Sequence, residues 1–302
     1  MRHALRDICF ALALTACRPH AGPPAAVEPA FAADHARWHA ERLAALRAPQ
    51  GWLALAGLYW LQDGDYRLGA DPAADIVFPA GAPREVGTLA LADRQVRLRV
   101  AAGVDARVRG QPIADILLRS DVDPLQPADR VELGERFTFL IIARGDRLGL
   151  RLYDIASPER REFAGIATFA LDPAWVIRAR FEALATPRTI EHPTVLGTVQ
   201  PAEVPGVAVF TVDGHEHRLT PILEHGPGGD DLLFVFSDRT SGRETYHGGR
   251  FLLAELPRDG EVVLDFNRAH NPPCAFTAHA TCPVPLAENR LPLAIHAGEK
   301  TP

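Results

Sequence analysis

A single lysine, Lys300, stands in a chain of 302 residues whose other strong bases are arginines. With a formal charge of -6 and no basic cluster, the sequence lacks the gathered Lys and Arg of a nucleic-acid footprint, so no nucleic acid is expected as a partner. It holds no phosphate-binding glycine loop, no Gly-x-Ser-x-Gly elbow and no internal repeat. The apolar run over residues 8–16 is too short to cross a bilayer. Cysteine is scarce, with four residues at 9, 17, 274 and 282. What is plentiful is apolar surface: at 47% hydrophobic residues, the chain can bury one large core or two moderate ones.

The N-terminus reads as an export signal, with Arg2 and Arg6 ahead of the apolar run and small residues before a cysteine. The tetrapeptide Leu14-Thr15-Ala16-Cys17 resembles the bacterial lipobox, which implies that Cys17 is the lipidated first residue of the mature protein. No aspartate follows Cys17, so the expected address is the outer membrane, facing the periplasm, with the lipid anchor as the only membrane contact. Loss of Cys9 with the signal and lipidation of Cys17 leave Cys274 and Cys282 as an even pair in an oxidising compartment. A disulfide is expected between them, stabilising by roughly 2–3 kcal/mol on loop entropy. Their spacing is unusual for copper or zinc ligation, so no metal is expected there.

Four segments follow from composition and periodicity: the signal and lipidation site (1–17), a Pro- and Ala-rich tether (18–31), an N-terminal helix plus a first β region (32–150), and a C-terminal β domain (151–302). The helix is expected over residues 33–47, with His35, Trp38, Arg42, Leu43 and Leu46 as its stripe. Short strand-like runs with turns between them then argue for a mainly β fold of the sandwich or barrel kind. Trp52, Tyr59 and Trp60 read as core aromatics rather than a ligand platform. Residues 207–212, Asp213-Gly214 and residues 217–223 read as a hairpin, and residues 262–267 as a strand.

The segment from Arg67 through Leu68-Gly69-Ala70-Asp71-Pro72 to Ile76-Val77-Phe78 resembles the opening of a forkhead-associated domain, which implies a small sandwich for the first β region. Ala70 replaces that family's phosphate-binding arginine and no Ser-Arg-x-His follows Phe78, so phosphopeptide binding is not implied.

A second resemblance is broader. Phe236-Ser237-Asp238-Arg239-Thr240-Ser241-Gly242, Gly249-Arg250-Phe251-Leu252, Asp265-Phe266-Asn267-Arg268-Ala269, Asn271-Pro272-Pro273-Cys274, Cys282-Pro283, Glu288-Asn289-Arg290-Leu291-Pro292, and also Gly51-Trp52 with Gly57-Leu58-Tyr59-Trp60-Leu61, closely resemble the domain of unknown function 1684 family. The resemblance implies a secreted or lipid-anchored protein, and no activity.

The residues themselves point to a polar pocket near the end of the chain. On a strand over residues 262–267, Asp265 and Asn267 share a face, with Arg268 next to them. With Arg250, Glu244, Asn271 and Asn289 they form the candidate set for a small polar or anionic ligand. The competing role for these side chains is to satisfy backbone groups of an irregular Pro-rich loop. A hydrolase using Asp265 or Glu244 as general base is the alternative to a binding or envelope-associated module. His215 and His217 have spacing that permits a metal, and Ser237, Thr240 or Ser241 with His247 or His270 permit a nucleophile and base; neither set carries a motif. No cofactor is expected.

Overall fold

The computed structural model describes residues 27–123, 126–226 and 229–302. The expected signal segment, Cys17 and residues 18–26 of the tether lie outside these. Helix α1 spans Pro29–Arg47, so it begins inside the stretch assigned to the tether. Proline suits that first turn, where its missing N–H would have no intrahelical partner anyway.

Eleven strands build the first β region: β1 (Leu55–Leu61), β2 (Gly64–Gly69), β3 (Ile76–Val77), β4 (Gly87–Ala92), β5 (Gln95–Val100), β6 (Ala106–Val108), β7 (Gln111–Pro112), β8 (Asp115–Leu118), β9 (Arg130–Leu133), β10 (Phe137–Arg144) and β11 (Arg147–Asp154). They form a six-stranded sheet, β1-β11-β10-β9-β6-β7, and a five-stranded sheet, β3-β2-β4-β5-β8. The alternation that marks a half-buried strand is visible in β5, where Val96 and Leu98 are buried and Gln95, Arg97 and Arg99 are exposed. Leu89 and Leu98 of one sheet meet Phe139, Ile141, Leu150 and Leu152 of the other in a common core. Each such buried side chain contributes roughly 2 kcal/mol.

A short helix α2 (Pro158–Glu162), capped by Ser157, leads into seven further strands. These are β12 (Val176–Pro193), β13 (Val199–Val212), β14 (His215–Leu219), β15 (Ile222–Gly226), β16 (Gly229–Phe236), β17 (Arg250–Glu255) and β18 (Glu261–Asp265). The sheets β14-β13-β12-β18 and β15-β16-β17 enclose a second core. Phe181, Phe210 and Leu264 come from the first sheet, and Leu232, Phe234 and Phe236 from the second. The molecule is thus mainly β with one N-terminal helix, as expected.

Two local expectations change. The run over 217–223 is not one strand: β14 ends at Leu219, and β15 begins at Ile222 in the other sheet. Pro221 lies in the break, where a missing N–H cannot continue a ladder. The run over 262–267 leaves the sheet at Asp265, and Phe266–Arg268 form a 3-10 turn instead. Asp265 and Asn267 therefore approach through a turn rather than along one strand face.

After β18 no named strand occurs among the described residues. Three 3-10 turns and several prolines carry the chain across the open end of the second core, where Leu291, Ile295 and Ala297 are buried. Gly298 permits this path: its φ is +79°, and a Cβ there would collide with the Ala269 carbonyl oxygen.

Candidate functional site

The Pro-rich closing segment cannot pair its backbone in a ladder, so its polar groups need other partners. Buried side chains supply them. Arg250 is 1% exposed; its Nη2 donates to Asp238 Oδ2 at 2.8 Å and to Ile295 O at 3.1 Å, and its Nη1 to Ala297 O. The Ile295 N–H returns to Asp238 Oδ2 at 3.0 Å. Asn289 Oδ1 accepts from Thr220 N at 2.8 Å while Nδ2 donates to Thr220 O and Val235 O, tying the β14–β15 break to β16. Asn271 donates its N–H to Glu299 Oε2 at 2.7 Å and its Nδ2 to Lys300 O at 2.7 Å.

Helix α1 is strapped over this knot. Arg42 donates to Glu299 Oε1 at 3.1 Å and to Asn271 O at 2.9 Å, and Arg268 pairs with Asp34. Arg268 also approaches Asp265 Oδ2 at 3.3 Å. Glu244 stands apart at the surface, beside His296 Nε2 at 3.1 Å. The seven sequence candidates therefore share no cleft. Arg250, Asn267, Asn271 and Asn289 are buried in internal hydrogen bonds, Asp265 and Arg268 border an exposed groove beside β18, and Glu244 is elsewhere.

The cysteines differ from expectation as well. Cys274 and Cys282 are neighbours but free, with Cys274 N–H donating to Cys282 Sγ at 3.1 Å, so the expected disulfide is absent. Ser241 and His247 line one small cleft, yet Ser241 Oγ is engaged by Asp238, and no hydrogen bond joins the serine to the histidine among the described residues. His270 Nδ1 donates to Arg268 O at 3.1 Å, and loss of solvent, reinforced by the Arg42 charge, holds its ring down at about 3. Among the described residues no group of three or more His, Cys, Asp or Glu is placed to hold a metal. Trp52 and Tyr59 pack against buried clusters, and Arg147 covers the Trp60 ring at 4.0 Å, so these aromatics are structural.

A cleft of about 1010 Å³ does open in the second half. Its walls are the Asp172–Ile177 segment, the turn between β13 and β14 with His215 and His217, and Arg239 beside Leu293. Asn267 sets the first wall: Oδ1 accepts from Asp172 N at 3.0 Å and Nδ2 donates to Asp172 O at 2.9 Å. Asp172 then caps the next turn by accepting from Ala174 N at 2.9 Å, which places Trp175 edge-on against Phe266, 6.1 Å between centroids. The second wall rests on the Asp213-Gly214 turn, whose residues have φ of +50° and +77°, as a tight hairpin requires. His217 packs on Phe210 at 5.6 Å; burial, then the charge of His215, keeps its ring below the ordinary histidine range.

Arg239 is held by its backbone, which donates to Leu293 O at 2.9 Å, while its guanidinium is exposed and unpartnered among the described residues. Glu216, by contrast, pairs with Arg218 at 3.5 Å. The cleft thus combines a free guanidinium, an exposed imidazole at His215 and an aromatic wall at Trp175. Sequence reasoning placed Arg239 in a motif without assigning it a role, and missed Asp172 and Trp175. No local signal in the sequence marked them, because Arg239 and Trp175 meet only through long-range packing.

A search of curated proteins finds no match. Among solved structures, the chain is similar to the solution NMR structure of the uncharacterized protein from gene locus rrnAC0354 of Haloarcula marismortui. That likeness is 30% identity over 48% of this chain and 80% of the other, with a TM-score of 0.40. It is also similar to the Rv0020c_FHA structure, at 15% identity over 32% of this chain and 96% of the other, with a TM-score of 0.22. Superposition this loose carries no argument about function. The sequence match to a family starts at residue 161, so the aromatic stretch over 51–61 lies outside it. Over residues 161–300, the chain belongs to the family described as Protein of unknown function (DUF1684).

Proposed function

We propose that this protein is a small-ligand-binding module, lipid-anchored through Cys17 and facing the periplasm, whose ligand seats in the cleft between Trp175, His215 and Arg239. The observation that carries the reading is Arg239: an unpartnered guanidinium on the wall of a cavity of about 1010 Å³. The ligand class that fits is a small carboxylate or phosphate with a flat or apolar body. The anion pairs with Arg239, an ion pair at an exposed guanidinium that contributes about 0.2–1 kcal/mol, while the body packs on Trp175, Ile177 and Leu293. The buried knot of Arg250, Asn267 and Asn289 supports this site from behind rather than contacting ligand.

The test is a thermal-shift screen of carboxylate and phosphate metabolites against the protein and its Arg239→Ala variant. The reading expects ligands that raise the melting temperature of the parent and not of the variant, while the two unliganded proteins melt together. Ligands that stabilise both equally, or none that stabilise the parent, overturn it. The anchor is checked separately by labelling cells with a fatty-acid analogue, where Cys17→Ala should abolish incorporation.

A further inference from the structure

The cleft leaves Cys274 and Cys282 unused. The two cysteines are in contact through the Cys274 N–H, which donates to Cys282 Sγ at 3.1 Å, and their environments are unequal: Cys282 is 4% exposed, whereas Cys274 is only half-buried. Arg151, itself 6% exposed, lies against Trp52, which packs on the same buried cluster as both cysteines. Its guanidinium stacks over Trp52 at 5.4 Å, its Nε and Nη2 have no hydrogen-bond partner, and no ion pair neutralises it among the described residues. Its positive charge reaches Cys282. Tyr153 and the more distant Asp121 carboxylate, which is paired with Arg144, offset its charge only in part, and a buried charge without a close partner is costly. A neighbouring group that becomes negative during a reaction would answer it, and a buried thiolate is such a group.

We infer that Cys274 and Cys282 form a thiol–disulfide exchange site, in which Cys274 attacks, Cys282 resolves, and Arg151 stabilises the buried resolving thiolate. The order follows from access, since Cys274 is half-buried and Cys282 only 4% exposed. It agrees with the acidities: the contact with Cys282 draws the Cys274 thiol down, while that same contact and burial push Cys282 up. The Cys274 thiolate attacks one sulfur of a substrate disulfide, forming a mixed disulfide and releasing one thiolate, which takes a proton from water. Cys282 then loses its proton to solvent, and its thiolate attacks Cys274 Sγ. The Cys274–Cys282 bond forms, the mixed disulfide breaks, and the second substrate thiol leaves. The substrate gains two electrons and the cysteine pair loses two, to be returned by a dithiol reductant through the reverse steps. Burial of the pair against Phe251 and Val235 keeps the loop in place in both states.

The test treats the full chain, reduced beforehand, with glutathione disulfide, followed by acid quench, alkylation and peptide mass mapping. The parent should form the Cys274–Cys282 disulfide and return to dithiol with dithiothreitol. Cys282→Ser should stop at glutathione bound to Cys274, and Cys274→Ser should not react. Arg151→Gln should accumulate the Cys274 adduct because resolution slows about tenfold, the effect of one pKa unit on thiolate fraction, and Arg151→Lys should restore it. Brief alkylation of the reduced parent needs no variant and should mark Cys274 before Cys282. An adduct on Cys282, no reaction at either thiol, or a disulfide that dithiothreitol cannot reopen overturns the inference.

Discussion

Asn267 grips Asp172 from both sides, its Oδ1 accepting the Asp172 N–H at 3.0 Å and its Nδ2 reaching the Asp172 carbonyl at 2.9 Å. The same Nδ2 contacts Asp265 Oδ1 at 3.0 Å, so one amide joins the end of β18 to the turn that carries Trp175. Replacing Asn267 with Ala strands these backbone groups. The expected loss is about 2–4 kcal/mol in urea unfolding, two or three bonds at the usual cost of an unsatisfied partner. A loss below about 0.5 kcal/mol would show that the clamp is not needed.

Arg250 and Asp238 form an ion pair at 2.8 Å with both side chains essentially inaccessible. Arg250→Ala leaves the Asp238 carboxylate buried and is expected to cost about 3–5 kcal/mol. Arg250→Lys should recover only part of this, because an ammonium cannot serve Asp238, Ile295 O and Ala297 O with the geometry of a planar guanidinium. Equal stability of the Lys variant and the parent, read from denaturant midpoints, contradicts the account.

Two glycines with left-handed backbones should respond differently to alanine. Gly298 (φ +79°) would bring a Cβ against the Ala269 carbonyl, whereas Gly145 (φ +60°) has open space around it. Gly145→Ala should cost about 1 kcal/mol, the conformational term alone. Gly298→Ala should cost clearly more, through displacement of the closing segment. Comparing the two midpoints under one set of conditions checks the ranking.

Acid should weaken the fold before its carboxylates titrate. His270, His217 and His192 all sit below the ordinary histidine value, His270 at about 3, each mainly through loss of solvent. For a base depressed in the fold, the unfolded chain takes up the proton first. Stability is therefore full above about pH 6.5 and falls as pH drops from there toward the folded value. Urea midpoints between pH 7.5 and 4.5 should decline, and His270→Gln should flatten the slope. A decline of identical steepness in the variant would remove His270 as a contributor.

The mainly β character, the N-terminal helix, the Asp213-Gly214 turn and the buried run 232–236 of β16 were legible because each rests on local chemistry: alternation, turn residues and an unbroken apolar run. The polar motif near the end was also legible as a group, and so was its possible role as a knot. Its division of labour was not. Asp238 and Arg239 differ by one position, yet the first is locked inside with Arg250 and the second stands free at the cleft.

Sequence alone determined the mainly β fold, because side-chain period and turn chemistry act over a few residues. Only tertiary structure decided which polar groups were consumed, because hydrogen bonds from Asn267 to Asp172 and from Asn289 to Thr220 span 95 and 69 positions of chain. The free guanidinium of Arg239 at the cleft is what those long-range pairings leave over.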